Sequence, residues 1–296
     1  MAAAPIMEPE LDTDELLRRV MAHFRSPRYQ PPLLPVIAVE IMALSQDENV
    51  SASDIVAIVE RDPLLAAKLL KLAQSARYST GRRPIQTLQD AVARLGSVAL
   101  RDMVFEVSLN TRIFQARGYT EAMERLRVHS VATAHIARAV CRRVRVRSDY
   151  AFLAGLLHDV GVAGLFIALS EMGEGADPHR TWSAVKSVHA EASGLLGSLW
   201  GLPRPLIDVM RHHHGVLVDG KPNTLCAIVV VAERFAFELA PLVGDDPSTP
   251  QKPRHMPGKD LASGETVKAA CGLLNINGEK WAGIREDAKR VIEEFL

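Results

Sequence analysis

Residues 151–169 read AFLAGLLHDVGVAGLFIAL, the most apolar stretch of the chain, with an imidazole and a carboxylate side by side at its centre, His158 and Asp159. Burying an unpaired carboxylate costs several kcal/mol, so a sequence that places Asp159 here needs something to compensate its charge. A metal ion and a core salt bridge are the two candidates. This stretch therefore raises the question of function as well as that of the fold.

The same stretch is long enough to cross a bilayer. However, it carries His158 and Asp159 at mid-depth, and its small residues favour close packing between helices. Those small residues are Ala151, Ala154, Gly155, Ala163 and Gly164. We predict a buried core segment and no membrane association.

The rest of the chain predicts an all-α protein, because apolar residues recur at three- and four-residue spacing and strand signals are nearly absent. Ser51 with Asp54 resembles a capping box, Asp62-Pro63 combines an N-cap with a proline at the first helical position, and Thr87 repeats the start signal. Later helices are expected around residues 120–146, 149–168, 181–200 and 204–215, with an apolar run at 225–239 and a final helix near 279–295.

Composition excludes several classes of protein. The 296 residues carry 35 Lys and Arg against 35 Asp and Glu, so no global charge attracts nucleic acid or an anionic membrane. The three cysteines lack C-x-x-C spacing, which argues against a disulfide framework or a zinc ribbon. The N-terminus lacks the features of a secretory or transit signal. We expect a cytoplasmic location. A run of arginines could contact phosphates or form a solvated helix face: Arg138, Arg142, Arg143, Arg145 and Arg147.

Histidines are concentrated in one part of the chain, on or at the ends of four successive predicted helices. They are His129, His158, His189, His212, His213 and His214, accompanied by Asp159 and later Glu233. Imidazole and carboxylate together suit borderline divalent metals such as iron, manganese, zinc or cobalt. Helical bundles build metal sites in their cores from ligands on several helices. His23, His135, His179 and His255 are read as ordinary core or surface residues.

The segments LLPVIAVEIMALSQDENVSASDIVAIVERDPLLAAKLLKLAQSARYSTGRRPIQTLQDAVARLG, VHS, AGLLHDVG and HAEASGLLGSLWGLPRPLIDVMRHHH resemble the HDOD domain, the HD-related output domain of bacterial signalling proteins. The resemblance implies an HD-domain-like helical bundle with an N-terminal helical lobe. It implies an N-terminal helical extension (1–30), a helical lobe (31–118), an HD-like lobe (119–240), an exposed loop (241–264) and a C-terminal helical cap (265–296).

Compared with related HD-GYP phosphodiesterases, seven residues resemble metal ligands. They are His129, His158, Asp159, His189, His213, His214 and Glu233, which leaves His212 as an extra histidine. The resemblance implies a site for iron, manganese or zinc, in which His158 and Asp159 would be catalytic only in a hydrolase. A vestigial ion pair is the alternative. A metal site requires residues 189 and 213 to lie within about 10 Å of the dyad, a span that one or two bridged ions can cover.

Other positions depart from active HD enzymes. Val162 stands where a lysine usually follows HDVG, Arg125 replaces an expected second-metal carboxylate, and Ser193 replaces a usual glycine. Glu124 is one residue out of phase, about 100° around the helix. No GYP motif follows the histidine pair. These departures predict weak substrate anchoring and room for only one metal.

The resemblance leaves several functions open. The first is a signalling output module that binds a partner protein or a small nucleotide ligand and retains a metal pocket. The alternative is a metal-dependent phosphohydrolase acting on a nucleotide or cyclic dinucleotide, in which divalent metal activates water. Nucleic-acid binding is a distant third, because no aromatic residues are interleaved with the arginines for base stacking. The sequence does not indicate an oligomeric state.

Overall fold

A computed structural model describes residues 13–26, 29, 31–34, 36–44, 51–75, 78, 85–173, 178–239 and 264–293. Over these residues the chain is helical apart from turns and one very short hairpin, which confirms the all-α prediction. The predicted loop over 241–264 lies outside the described residues except for Gly264, which begins a helix.

The helices that precede the 151–169 stretch are α1 (Thr13–Phe24), α2 (Val36–Leu44), α3 (Ala52–Val59), α4 (Pro63–Ala73), α5 (Leu88–Leu95), α6 (Ser97–Arg112) and α7 (Thr120–Val144). From that stretch onward follow α8 (Ala151–Leu157), α9 (Val160–Glu171), α10 (Pro178–Leu199), α11 (Arg204–His212), β1 (Leu217–Val218), β2 (Lys221–Pro222), α12 (Thr224–Leu239), α13 (Gly264–Leu273) and α14 (Gly278–Glu293).

The helix start signals act as the sequence indicates. Ser51 and Asp54 form a reciprocal capping box at the start of α3. The Asp62 carboxylate accepts the backbone N–H groups of the first turn of α4, with Pro63 at the first helical position. Thr87 caps α5 through its side chain. Each device satisfies backbone donors that a helix start leaves without partners.

Helices α2 to α6 pack against one another, and helices α7 to α12 form a second packed set. The two sets meet where α6 contacts α8. Helix α1 lies on α9 and α10, and helices α13 and α14 lie on α12, with α14 also covering α7. The inward face of α14 is apolar, with Ile284, Ala288 and Ile292 buried. The boundaries of the lobes remain a prediction.

The 151–169 stretch is a core segment, as predicted. By length and composition Ala151–Glu171 could cross a membrane, but 94% of its most apolar 18-residue part is buried inside the fold. The prediction of one continuous helix here was wrong. The chain forms α8 and α9 with a break at the dyad, where His158 ends the first helix and Asp159 begins the second. Because the helix is interrupted here, the two side chains are not fixed at the rotation of about 100° that separates successive residues of a continuous helix.

The segment after the histidine pair contains structure that helical spacing did not predict. Strands β1 and β2 pair in antiparallel register through two residues each. Asp219 and Gly220 between them both have positive φ, 49° and 74°. This is the type I′ hairpin geometry that an Asp-Gly pair favours, so the VDGKPN segment carried a recognisable turn signal.

Close helix contact in the core depends on a glycine. A Cβ atom at Gly155 would lie 2.7 Å from the Cα of Ala134 and 2.8 Å from the carbonyl oxygen of Thr133. Both are backbone atoms of α7 that cannot rotate away. Gly155 therefore sets how closely α8 approaches α7.

Replacing Gly155 with alanine should lower the free energy of unfolding by about 1–3 kcal/mol, because two packed helices must separate. Gly272→Ala is the matched control, since nothing lies within 4 Å of an added Cβ there. In a helix that control should be neutral or stabilising by up to about 1 kcal/mol. Chemical denaturation measures both. Equal effects of the two substitutions would contradict the packing account.

Candidate metal centre

The seven residues of the predicted ligand set come together in space from six helices. His129 lies on α7, His158 and Asp159 at the junction of α8 and α9, and His189 on α10. His213 and His214 directly follow α11, and Glu233 lies on α12. His158, Asp159, His189, His213 and Glu233 are buried, while His129 and His214 are partly exposed. The side chains form a polar pocket inside an apolar bundle.

Backbone carbonyls fix the orientation of three imidazole rings. The Nδ1 atoms of His158, His189 and His213 lie 2.8, 2.6 and 3.1 Å from the carbonyl oxygens of residues Gly155, Lys186 and Met210. Because a carbonyl only accepts, each Nδ1 must carry the hydrogen and donate it. When such a ring is neutral, its Nε2 atom carries a lone pair.

These three Nε2 atoms, together with that of His129, face one carboxylate. The Oδ1 atom of Asp159 lies 3.4 Å from Nε2 of His189 and 3.2 Å from Nε2 of His213. The Oδ2 atom lies 3.4 Å from Nε2 of His158 and 3.9 Å from Nε2 of His129. An ionised carboxylate only accepts hydrogen bonds, so lone pairs on the nitrogens would face lone pairs on the oxygens. The arrangement is favourable only with positive charge between them.

The distances between donor atoms match those around a single ion. Nε2 of His189, Nε2 of His213 and Oδ1 of Asp159 form a triangle with sides of 3.3, 3.2 and 3.4 Å. Nitrogen and oxygen ligands at about 2.1 Å from a tetrahedral ion are separated by about 3.4 Å. His214 adjoins this group, with its Nε2 atom 2.8 Å from Nε2 of His189, which is hydrogen-bonding distance and closer than two ligands of one tetrahedral ion lie. The donor set therefore fits a divalent metal.

A second group of potential ligands shares the Asp159 carboxylate. Ligand atoms of His129, His158, Asp159 and Glu233 all lie within 4.8 Å of one another. In the first group, ligand atoms of His189, His213 and His214 likewise lie within 4.8 Å of one another. Because Asp159 directs one oxygen toward each group, the pocket has donors for two ions bridged by a carboxylate. The expectation of room for only one metal stays a prediction.

Among the buried polar atoms of the pocket, Nε2 of His158, Oδ1 of Asp159 and Nδ1 of His214 lack a well-formed hydrogen bond. Nε2 of His158 lies beside Oδ2 of Asp159, whereas Oδ1 lies beside the Nε2 atoms of His189 and His213. Buried polar atoms without partners are rare and commonly mark the place of an ion or a water. Their position supports the fit of a cation to this pocket.

Burial keeps several of the rings in the form that binds metal. Burial lowers the pKa of His129 to about 4, with His158 contributing, and lowers the pKa of His213 to about 4. Burial and the neighbouring His213 and His189 lower the pKa of His214 to about 3. These three rings are neutral near pH 7, as metal ligands must be.

The pKa of His158 is shifted in the opposite direction, because two carboxylates, those of Asp159 and Glu233, act on this ring. Burial alone would lower its pKa, but Asp159, with Glu233 contributing, raises it to about 9. Burial would raise the pKa of Asp159, yet charged His158 holds it well below its usual range. The raised pKa means that charged His158 stabilises the metal-free fold below pH 6.5, and this contribution is lost as the pH rises through about 9. A proton here supplies the positive charge that the pocket requires.

Ser193 supports the pocket rather than weakening it. Its Oγ atom accepts the backbone N–H of Gly161 at 2.9 Å, in the first turn of α9. A Cβ atom at Gly161 would lie 2.2 Å from the carbonyl oxygen of His189. Gly161 and Ser193 together hold α9 against α10 beside the ligands. The departure from glycine at 193 thus has a structural role that spacing alone did not reveal.

The other departures leave the pocket without a phosphate-binding lysine. Val162 is buried in the core at 1% exposure, so its position carries no exposed cation. Arg125, one turn before His129, pairs with Glu121 and is 11% exposed. Glu124 is exposed and pairs with Arg127. Where a second-metal carboxylate was expected, the helix presents a guanidinium.

The remaining histidines of the described chain stand outside the pocket. His212 is exposed at the end of α11. His135 is buried with Nε2 at 3.3 Å from Oε2 of Glu106, as expected of a core histidine. His23 lies on α1, with Nε2 at 3.8 Å from a carboxylate oxygen of Glu171. His255 and the side chain of His179 are outside the described residues.

Known proteins identify the family. The HDOD domain matches residues 32–216, which is more than half of the chain. The chain belongs to the HDOD family. An uncharacterized protein of Treponema pallidum (strain Nichols) is 28% identical over 197 residues, covering 62% of this chain. This HDOD chain spans 38% of the length of that relative.

Solved structures share the fold at low identity. A Shewanella amazonensis SB2B protein described as a candidate metal-dependent phosphohydrolase has a TM-score of 0.71 at 16% identity, covering 96% of this chain and 99% of its own. An HDOD domain protein of unknown function from Geobacter sulfurreducens has a TM-score of 0.59 at 24% identity, covering 96% and 94%. These likenesses confirm the HDOD helical architecture.

Metal binding near pH 7.5 should release about one proton per chain, because His158 must lose its proton to become a ligand. Calorimetric titration of metal-free protein with Zn²⁺ in buffers of different ionisation enthalpy measures the number. His212→Ala should release the same number, since His212 lies outside the pocket. Binding without proton release would show that the proton on His158 is not displaced.

Proposed function

We propose that this HDOD chain is a regulatory module that holds a divalent metal in its buried histidine and aspartate pocket and acts by binding a partner protein or a small nucleotide ligand. The observation that carries the metal part is the triangle of donor atoms from His189, His213 and Asp159, whose sides of 3.2 to 3.4 Å suit one ion. The mixed nitrogen and oxygen donors favour iron, manganese or zinc.

The regulatory part is supported by what surrounds the pocket. Val162 is buried where hydrolases of this type carry a cation for the substrate phosphate. The ligands His158 and His213 are fully buried, so a bulky substrate has limited access. A metal in such an enclosure stabilises the arrangement of the six helices that supply its ligands. Binding or loss of the metal would then change the surface that a partner contacts.

The second candidate is a metal-dependent phosphohydrolase acting on a nucleotide or cyclic dinucleotide. The observation that favours it is that Asp159 places Oδ1 beside His189 and His213 and Oδ2 beside His158, as a carboxylate shared by two metal ions would. Bound divalent metal would supply Lewis acidity and activate water. The protein would hold the ions with His158, Asp159, His189, His213 and His214, and the partly exposed His129 and His214 lie where solvent reaches the pocket.

We also propose that the protein acts in the cytoplasm, supported by three cysteines that form no disulfide. Nucleic acid is the least supported partner. Formal net charge is zero, and among the arginines near the end of α7, Arg143 is engaged by Asp287. Arg138 and Arg143 are thus paired with carboxylates, which leaves them less available to a phosphate backbone.

Metal analysis tests the proposal. Protein purified without a polyhistidine tag should contain at least about one iron, manganese or zinc per chain, because the donor set fits such an ion. His213→Ala and Asp159→Ala should lose it, whereas the matched control His212→Ala should keep it. The absence of metal from the wild-type protein after incubation with each of the three ions would reject both candidate functions.

Activity assays on the metal-loaded protein then distinguish the two candidates. Phosphomonoesters and cyclic dinucleotides should not be turned over if the chain is a regulatory module. Turnover that Asp159→Ala abolishes and His212→Ala preserves would establish the hydrolase instead. Metal without turnover supports the regulatory module.

A further inference from the structure

We propose that a second pocket, separate from the metal centre, binds a small phosphorylated organic molecule such as a nucleoside monophosphate. The cavity has a volume of about 510 Å³ and lies between α6, α7 and α14. This volume is within the range of small-molecule sites. None of the metal-centre residues lines it. Hereafter it is called the arginine pocket, after Arg138, Arg142 and Arg290 in its wall.

The charges around Asp102 leave an excess of cations on one side of the arginine pocket. Arg101 donates to Oδ1 of Asp102 through Nε at 3.0 Å and Nη2 at 2.7 Å. Arg138 donates to Oδ2 of the same carboxylate at 2.5 Å. Asp102 is buried at 1% exposure. Two guanidinium groups therefore share one carboxylate, and the three groups together carry a net positive charge.

A similar excess of cations surrounds Asp287 of α14, which lines the arginine pocket. Arg143 donates to its two oxygens at 2.5 and 3.0 Å, and Arg290 donates to Oδ1 at 2.6 Å. These arginines keep the pKa of Asp287 below its ordinary value, so its charge is already compensated. Arg142 adds a further exposed guanidinium to the wall. The arginine pocket therefore attracts an anion.

The shape of the wall indicates an organic anion rather than a bare ion. Apolar side chains of Leu95 and Val98 line the side formed by α5 and α6, and Val291 lines the side formed by α14. Tyr78 adds an aromatic ring. Guanidinium groups bind phosphate oxygens through paired hydrogen bonds, and the apolar and aromatic surfaces suit a base or sugar. A phosphorylated molecule with a planar body combines the two requirements.

This assignment gives the arginine run of α7 a divided role. Arg138 and Arg142 face the arginine pocket, whereas Arg143 is engaged by Asp287. Arg145 ends the helix with a positive φ of 59° and does not line the pocket. The run is therefore not one continuous phosphate-binding face. A compact ligand fits the arrangement better than a nucleic acid backbone.

Calorimetric titration of the full chain with AMP, GMP and inorganic pyrophosphate, in buffer containing EDTA, tests the arginine pocket. At least one nucleotide should bind with a dissociation constant below about 1 mM. Arg142→Gln combined with Arg290→Gln should weaken that binding at least about tenfold, since two charge-assisted contacts are lost. The control Arg117→Gln with Arg147→Gln removes the same charge from exposed arginines outside the pocket and should change binding less than about twofold.

Three outcomes would overturn the proposal. They are no nucleotide binding to the wild-type chain at about 1 mM, equal weakening by the two double variants, and tighter binding of pyrophosphate than of either nucleotide.

Discussion

The structure depends on one electrostatic constraint, the carboxylate of Asp159 enclosed by imidazole nitrogens. Three of the rings donate their Nδ1 hydrogens to backbone carbonyls three residues earlier, so their Nε2 atoms are directed at the carboxylate. Lone pairs would then face lone pairs in a buried space, where an uncompensated charge is costly. A cation removes the conflict, and in the metal-free protein the proton on His158 takes that place. The positive charge beside Asp159 therefore stabilises the packing of the helices that carry the imidazole rings.

The surrounding fold serves this arrangement through backbone geometry. The break between α8 and α9 places His158 and Asp159 on the same pocket although they are adjacent in sequence. Gly155 and Gly161 allow neighbouring helices to approach within distances that a Cβ atom would prevent. Ser193 compensates a backbone donor at the beginning of α9. The ligands therefore sit on rigid elements, which is the condition for a preorganised site.

Much of this organisation could be predicted from the sequence, because its signals are local. Apolar spacing predicted the helices, and short polar signals at Ser51, Asp62 and Thr87 predicted where three of them begin. The residues of the pocket were predicted through resemblance to a family. The break at the dyad, the carbonyl partners of the rings and the role of Ser193 were not predicted, because they depend on contacts between distant segments. The hairpin at Asp219 was missed although its turn signal is local.

Anomalous diffraction from a crystal of the protein soaked in Mn²⁺, recorded on both sides of the manganese absorption edge, tests the central claim most directly. The account predicts a peak inside the triangle formed by Nε2 of His189, Nε2 of His213 and Oδ1 of Asp159, with ligand distances of about 2.0–2.2 Å. A second peak on the Oδ2 side would extend the claim to a bridged pair. A pocket without any peak, in a crystal that binds Mn²⁺ elsewhere or not at all, would contradict it.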